Sequence, residues 1–383
     1  MRLLHFCQAA SGGIADYAHQ QNRSLATICP QSEFLAPADF IHPSTEYVQK
    51  LHLLPRQENK RGLMGKSQMV RQILRDFAQL ENQIRSGGFT HVLLATYTEY
   101  LAPLWADCLL RLQRQGVTFS AILHDPDRSH VVGPHWWHNW SVKKGFSFLD
   151  RVFVHEDLDL SQHGVPMDVQ KTVIPHGEFP APKPTATRQA LRDGLGLSAA
   201  APVFLSFGHI RDDKNLDLIL RALAQVPEAI LIVAGGAPSA SQTLQESDYR
   251  KLAKDLDISN RCHWFIRFIK VDELANFFTL CDFVLLTYSE SFRSASGVLA
   301  STSSFERPVI ASAGQSSLLT LVSRYQLGSV IKPDSVGEIS RAMTDFVTSP
   351  PCPDWKRFRA ENSWERNARL VVDALETDAS SSS

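Results

Sequence analysis

The feature that most constrains the fold of this chain is an alternation of short apolar runs with amphipathic helical segments. The clearest example begins with the apolar run VFLSF at residues 203–207, which has the length and composition of a buried strand. Gly208 ends the run and a polar turn follows. Apolar residues then recur at helical spacing at positions 216, 219, 220 and 223. A strand, a loop and a helix in this order form half of a βαβ unit, which predicts a parallel sheet covered by helices.

The alternation recurs in both halves of the 383-residue chain. Strands are predicted at residues 1–7, 25–29, 40–42, 90–96, 117–123, 150–155 and 171–175, and then at 203–207, 229–234, 262–265, 282–287, 307–311 and 328–331. This pattern predicts an α/β protein of two doubly wound domains. The Pro-rich stretch at 179–184 is typical of a stiff linker and divides residues 1–183 from residues 184–355. A final helix is predicted within 356–377, and residues 378–383 are predicted to be a disordered tail.

Charge and composition exclude several classes of function. A net charge of −1 provides no global attraction for nucleic acid. The six cysteines are scattered without a CxxC pair, which favours free thiols over disulfides or a metal site. No stretch approaches the roughly 18–20 apolar residues of a membrane span, and the first apolar run is too short for a secretory signal. We therefore expect a cytoplasmic protein, with peripheral membrane contact left open and the oligomeric state undetermined.

Two cations mark the turn after the strand at 203–207. Ligands of open α/β sheets bind beyond the carboxyl ends of the strands, and a helix N-terminus attracts anions. Arg211 and Lys214 lie in this turn, so together they suit a diphosphate. The alternative is that both only form ion pairs with neighbouring aspartates, at positions 212, 213 and 217.

Two further turns are candidates in the first half. His124 and Asp125 follow the predicted strand at 117–123, where substrate chemistry usually lies in such folds. The alternative is a core histidine that bonds to Asp125 or to the backbone. Gly12 and Gly13 follow the first strand, where two glycines allow a ligand to approach the backbone closely, although a plain tight turn explains them equally well.

Residues 129–140 are rich in histidine and tryptophan. Their histidine spacing lacks acidic or cysteine ligands, so a metal site is disfavoured. A surface that borders a sugar or glycolipid acceptor and an ordinary packed aromatic patch are both consistent with this stretch.

Several motifs, in this order along the chain, resemble those of the retaining GT-B glycosyltransferases of family 4, the glycosyl transferases group 1. They are SGGIADY at 11–17, ILHDP at 122–126, VIPHG at 173–177, FGHIRDDKNLDLILRA at 207–222, LIVAGG at 231–236, SGVLA at 296–300 and RPVIAS at 307–312. The resemblance implies two Rossmann-like domains that face a central cleft, with the last helix crossing back to the first domain.

The resemblance also implies an activity. Members of this family transfer a sugar from a nucleoside diphosphate sugar to an acceptor, with retention of configuration and without a metal. By resemblance we expect a nucleotide-sugar donor carrying UDP or GDP, no separate cofactor, and a glycan or lipid-linked acceptor in a polysaccharide pathway.

The resemblance assigns roles residue by residue. It assigns the diphosphate and the leaving group to Arg211 and Lys214, and the donor sugar to His124. The remaining donor-binding positions that it implies are Gly12, Gly13, Gly208, Ile266, Phe268, Ser296, Gly297 and Val298.

The sequence departs from the family pattern in one region. Arg293 and Ser301 stand where the family carries two glutamates, and Glu290 lies slightly earlier. Glu290 and Arg293 are therefore included among the candidate donor-binding residues. Glu306 stands where the family has glycine before the RPVIAS strand.

These departures keep a second reading open, in which the chain is a catalytically impaired homologue that acts as a nucleotide-binding or partner subunit. A sugar-nucleotide epimerase of the same shape is a third.

Overall fold

The computed structural model describes residues 1–42, 44–53, 63–124, 133–157, 159–178, 181–238, 242–293 and 296–381. The chain divides into two compact units, which are Met1–Gly177 with Asn362–Ser383 (unit 1) and Glu178–Glu361 (unit 2). The division falls before the Pro-rich stretch rather than inside it. Phe179 and Pro180 of that stretch lie outside the described residues.

Two parallel sheets form the centres of the units. The strands of unit 1 are β1 (Leu3–Cys7), β2 (Glu33–Pro37), β3 (Val48–Leu53), β4 (His91–Thr96), β5 (Thr118–Leu123), β6 (Arg151–Val154) and β7 (Gln170–Val173). Those of unit 2 are β8 (Val203–Phe207), β9 (Ile230–Gly235), β10 (Cys262–Ile266), β11 (Phe283–Thr287), β12 (Val309–Ser312) and β13 (Gly328–Val330).

Helices connect the strands. They are α1 (Gly13–Ile28), α2 (Leu63–Gly87), α3 (Ala102–Gln113), α4 (His135–Phe146), α5 (Arg188–Asp193), α6 (Leu216–Leu223), α7 (Glu246–Asp255), α8 (Val271–Leu280), α9 (Gly297–Ser303), α10 (Ser317–Arg324), α11 (Val336–Thr348), α12 (Trp355–Glu361) and α13 (Trp364–Ser381). No helix among the described residues combines the length and the apolar character that crossing a membrane requires.

The strand orders contain one reversal in each unit. Unit 1 has the order β3-β2-β1-β4-β5-β6-β7 and unit 2 the order β10-β9-β8-β11-β12-β13. The direction of winding therefore reverses between β1 and β4, and again between β8 and β11. In open α/β sheets ligands bind at the carboxyl ends of the strands beside such a reversal.

The core of unit 2 lies on both faces of its sheet. Val203 and Leu205 of β8 belong to one buried cluster and Phe204 to the other, because successive side chains of a strand point to opposite faces. Helices on both faces cover these residues, so the apolar run predicted a strand correctly. The doubly wound α/β prediction is confirmed.

Some predicted elements were wrong. Residues 25–28 continue α1 rather than forming a strand, because no glycine or proline ends the helical pattern there. Residues 40–42 are not a strand, whereas β2 and β3 form where none was predicted. Helix α13 extends to Ser381, past the residue at which the tail was predicted to begin.

The last helix packs on α1 within unit 1. Buried Asn367 donates to the hydroxyl of Tyr17 at 2.8 Å and to the carbonyl of Pro175 at 2.6 Å. Its Oδ1 atom accepts from Nε2 of Gln21 at 2.8 Å. These bonds join α13 to residues far earlier in the chain.

Candidate functional site

The loop after β8 begins with a glycine that the geometry requires. Gly208 has a φ of +94°, which residues other than glycine rarely adopt. A Cβ atom here would lie 2.9 Å from Nζ of Lys214 and 3.7 Å from Cγ2 of Val298. Three of the predicted donor-binding residues therefore meet at the carboxyl end of β8.

Lys214 points back over the end of this strand. Its Nζ atom donates to the carbonyl of Phe207 at 2.9 Å. Burial lowers the pKa of Lys214 from its usual value to about 8, and the nearby guanidinium of Arg211 acts in the same direction. The amine is therefore a cation at neutral pH that an anionic ligand would stabilise.

Arg211 lies at the start of the same turn and forms one of the ion pairs considered from the sequence. Its Nε atom is 3.1 Å from Oδ1 of Asp213, and 46% of its side chain is exposed. This pair holds the guanidinium at the edge of the turn. The pairing and a role in diphosphate binding are compatible, since the guanidinium has five N–H donors.

The loop after β11 supplies the opposite side of the reversal. The hydroxyls of Tyr288 and Ser296 are 3.0 Å apart, and Oγ of Ser296 accepts from the backbone N–H of Leu299 at 3.3 Å. Ser296 thus caps the start of α9. Gly297 has open space around the position of a Cβ, so its backbone is accessible to a ligand.

The residues that depart from the family pattern differ in their surroundings. Glu306 has a φ of +54°, the left-handed region in which glycine is favoured, and its carboxylate pairs with Arg359 at 2.6 Å. The hydroxyl of Ser301 donates to the carbonyl of Gly297 at 3.3 Å. Glu290 and Arg293 are both exposed.

Two candidate residues lie farther along the sheet. Ile266 ends β10, which β9 separates from β8, and Ile266 packs against the core. Phe268 is 77% exposed. They lie at the same edge of the sheet as Lys214 but two strands away.

In unit 1, the glycine pair starts helix α1. Gly12 has a φ of +86°, and neither Gly12 nor Gly13 has an atom within 4 Å of the position of a Cβ. The start of α1 has no side-chain cap. The turn therefore needs glycine at position 12 and leaves the first N–H groups of the helix accessible.

His124 is bonded within unit 1 through both ring nitrogens. Its Nε2 atom is 3.1 Å from the carbonyl oxygen of Ala95, and its Nδ1 atom is 3.4 Å from Nε2 of His155. Burial lowers the pKa of His124 to about 3, so the ring is neutral at neutral pH. This is the backbone-bonded histidine considered from the sequence. Asp125, its other expected partner, lies outside the described residues.

Other residues of this cluster were missed from the sequence. The Tyr17 ring packs against the rings of His124, His155, His176 and Trp364 at centroid distances of 4.5, 5.3, 5.3 and 4.8 Å. His155 and His176 follow β6 and β7, and a histidine after each of three neighbouring strands was the available signal. The contact between Tyr17 and Trp364 could not be predicted from a local pattern, because the two residues lie far apart in the sequence.

The three tryptophans of the stretch at 129–140 lie in α4, which begins at His135. Trp136 is 66% exposed and Trp140 is 45% exposed, whereas Trp137 donates from Nε1 to the carbonyl of Tyr100 at 3.0 Å. The patch is thus partly packed and partly open. His130 lies outside the described residues, and within the described ranges no three His, Cys, Asp or Glu side chains group as metal ligands.

Comparisons with known proteins agree with this architecture. Residues 187–371 match the family model Glycosyl transferases group 1. The D-inositol 3-phosphate glycosyltransferase of Mycobacterium bovis is 32% identical over 239 residues, which are 59% of this chain and 47% of the relative. The matched region therefore spans about half the length of the curated relatives.

Solved structures match over nearly the whole chain. The sucrose-phosphate synthase of Thermosynechococcus elongatus aligns with a TM-score of 0.69 at 16% identity and covers 100% of both chains. The HepE protein of Anabaena, solved in complex with UDP-glucose, aligns with a TM-score of 0.67 at 14% identity over 98% of this chain and 99% of that one. These likenesses establish the fold. Residues 187–371, just under half of the chain, are thus similar to the glycosyl transferases group 1, and the fold of the chain is GT-B.

Proposed function

We propose that this chain is a glycosyltransferase that moves a sugar from a nucleoside diphosphate sugar to an acceptor. The observation that carries the proposal is the loop after β8, in which Gly208 leaves room for the Lys214 amine beside Val298. Arg211 supplies a second cation from the same loop. Two cations and accessible backbone N–H groups beside the reversal of strand order suit a diphosphate.

The chemistry follows from charge. When the bond between the anomeric carbon and the phosphate oxygen breaks, negative charge grows on the departing diphosphate. Preorganised cations stabilise this charge, and removal of one such donor typically costs about 10²–10³-fold in rate. Arg211 and Lys214 can supply this stabilisation from side chains, so we propose a reaction that needs no metal. We also propose that the configuration is retained, because the sequence motifs resemble those of retaining glycosyltransferases.

The donor, acceptor and location are parts of the proposal. A similar fold binds UDP-glucose in HepE, which supports a UDP sugar as the first donor to test and a GDP sugar as the second. We propose a glycan or lipid-linked acceptor and a cytoplasmic location. The contributions of Gly12, Gly13, His124, Ile266 and Phe268 to donor binding stay predictions.

The test is a donor screen with the purified chain. UDP-, GDP- and ADP-glucose are each incubated with glycan and lipid-linked acceptors, with and without EDTA, and release of the nucleoside diphosphate is measured. We expect release from one donor that EDTA does not reduce, and a product with the anomeric configuration of the donor. Lys214→Ala should lower turnover by about 10²-fold, whereas the control Lys251→Ala, an exposed residue of α7, should not. Unchanged turnover in Lys214→Ala would contradict the leaving-group role.

One observation favours a second candidate, a nucleotide-binding subunit without turnover. Arg293 and Ser301 stand at the two positions where the resemblance expects glutamates, so neither supplies a carboxylate to the donor. Calorimetric binding of a nucleoside diphosphate without turnover of any donor would favour this candidate over an enzyme.

A further inference from the structure

One carboxylate joins the two loops that flank the reversal of strand order in unit 2. Oδ1 of Asp334 accepts a hydrogen bond from Nδ2 of Asn215 at 2.8 Å. Its Oδ2 atom accepts a hydrogen bond from the backbone N–H of Glu290 at 3.0 Å. We call these two bonds the Asp334 bridge.

The first end of the bridge holds the basic loop. Asn215 follows Lys214 directly, is buried, and has a φ of +54°. Asparagine and aspartate tolerate this left-handed conformation better than most residues. Because the side chain of Asn215 is bonded to Asp334, the backbone between Lys214 and helix α6 is held in one conformation.

The second end holds the loop after β11. Glu290 precedes the segment that leads to Ser296 and the start of α9. A backbone bond from the N–H of Ser289 to the carbonyl of Asp213, at 2.8 Å, joins the same two loops nearby. The bridge therefore adds a carboxylate from a third loop, after β13, to a junction between the cation loop and the loop that carries Ser296.

We propose that Asp334 is a positioning residue for the diphosphate site. It holds the Arg211–Lys214 loop and the loop after β11 at a fixed separation, and it touches no substrate itself. The inference rests on the proposed function, because the site that it positions is the proposed diphosphate site. Bonds to a carboxylate are stronger than neutral ones, so their loss should let the two loops move apart.

The test exchanges the two partners. Asp334→Asn keeps the shape and tolerates the φ of +56° at this position, but its amide has one acceptor oxygen where the carboxylate has two, so its NH2 group faces one of the two donors. Asn215→Asp alone turns two carboxylates towards each other. In the double variant N215D/D334N, the new amide can donate to position 215 and accept from the N–H of Glu290, which restores both bonds with the same net charge. Asp345→Asn, at an exposed position of α11, is the matched control.

Two measurements read the result in the full chain. The dissociation constant for UDP and GDP is measured by calorimetry, and exchange of the Glu290 amide hydrogen is measured without nucleotide. We expect each single variant to bind about tenfold more weakly and to exchange this amide faster, as loss of a charge-assisted bond predicts. The double variant should recover both values.

Each outcome decides the proposal. Wild-type affinity in both single variants, or a double variant no better than the singles, would overturn it. If the singles exchange faster but bind normally, the bridge is structural and positions no ligand. If the wild type binds no nucleoside diphosphate, the proposed function fails, while amide exchange still shows whether the bridge exists.

Discussion

The carbonyl oxygen of Phe207 accepts a hydrogen bond from Nζ of Lys214 at 2.9 Å, which holds the amine over the end of β8. The arrangement depends on the residue between them in the turn. Gly208 has no Cβ, and a Cβ at this position would lie 2.9 Å from the same Nζ atom. The strand end, the glycine and the lysine thus form one unit on which the proposed diphosphate site depends.

Nucleotide affinity should depend on pH through Lys214. Burial lowers the pKa of this amine to about 8, so its charged fraction falls as the pH rises through 8. Affinity for UDP or GDP should therefore decrease above pH 8 by up to about tenfold per pH unit, because binding then takes up a proton. Lys214→Arg retains its charge and should bind with little change between pH 7 and about pH 9.5. Calorimetry across this range measures both, and parallel curves for wild type and Lys214→Arg would contradict the assignment.

Substitution of Gly208 should separate strain from a clash with Lys214. Gly208→Ala and Gly196→Ala both place a side chain at a positive φ, which costs about 1–2 kcal/mol. Only Gly208 has the Lys214 amine within contact distance, since Gly196 has no neighbour within 4 Å. Both variants should lose similar stability in thermal unfolding, but only Gly208→Ala should lose nucleotide affinity. Equal affinity in the two variants would show that the close approach is unimportant for binding.

The strand-and-loop pattern allowed much of unit 2 to be predicted. The run at 203–207 became β8 with the same bounds, and Arg211 and Lys214 lie in the loop that follows it. This succeeded because Val203, Phe204 and Leu205 form a fully buried apolar run, and such a run needs no distant partner to be recognised. The two hydrogen bonds that Asp334 accepts could not be predicted, because their donors lie in loops far apart in sequence.

The stability of unit 1 should depend on the side-chain amide of Asn367. Its replacement by leucine would leave the carbonyl of Pro175 and Nε2 of Gln21 without this partner in a buried position. Each buried polar group that loses its bond costs about 1–3 kcal/mol, so Asn367→Leu should lower the free energy of unfolding by at least about 2 kcal/mol. Urea denaturation measures this loss. The exposed Arg366→Gln variant should unfold like the wild type, and an equally stable Asn367→Leu would show that these bonds contribute little.

Stability should fall in mild acid because of buried histidines in unit 1. Burial lowers the pKa of His5 to about 4 and that of His124 to about 3, against about 6.5 in an unfolded chain. The unfolded chain therefore binds protons first, so stability is complete above pH 6.5 and is lost as the pH falls towards 4. Each such histidine lowers the free energy of unfolding by at most about 1.4 kcal/mol for each pH unit below 6.5.

Thermal unfolding between pH 7.5 and 5 tests this expectation. His5→Gln should make the loss shallower, and His135→Gln, at an exposed position, should leave it unchanged. A melting temperature that stays constant or rises as the pH falls from 7 to 5 would contradict it.

Local sequence patterns did not predict features that depend on tertiary contacts. Glu306 departs from the family glycine, yet it adopts the left-handed conformation and pairs with Arg359, which no local pattern indicated. His124 follows β5 as predicted, but its bond to the carbonyl of Ala95 depends on the neighbouring strand β4. The sequence therefore predicted which residues lie at the strand ends, but it did not predict their hydrogen-bond partners.

The most direct test of the diphosphate site is calorimetric titration of UDP and GDP into wild type, Arg211→Ala, Lys214→Ala and the control Arg221→Ala, an exposed residue of α6. We predict that the wild type binds at least one of the two nucleotides. Each of the first two variants should bind at least about tenfold more weakly, since each loses a charged donor to the diphosphate, and Arg221→Ala should match the wild type. Wild-type affinity in both Arg211→Ala and Lys214→Ala would contradict the central claim.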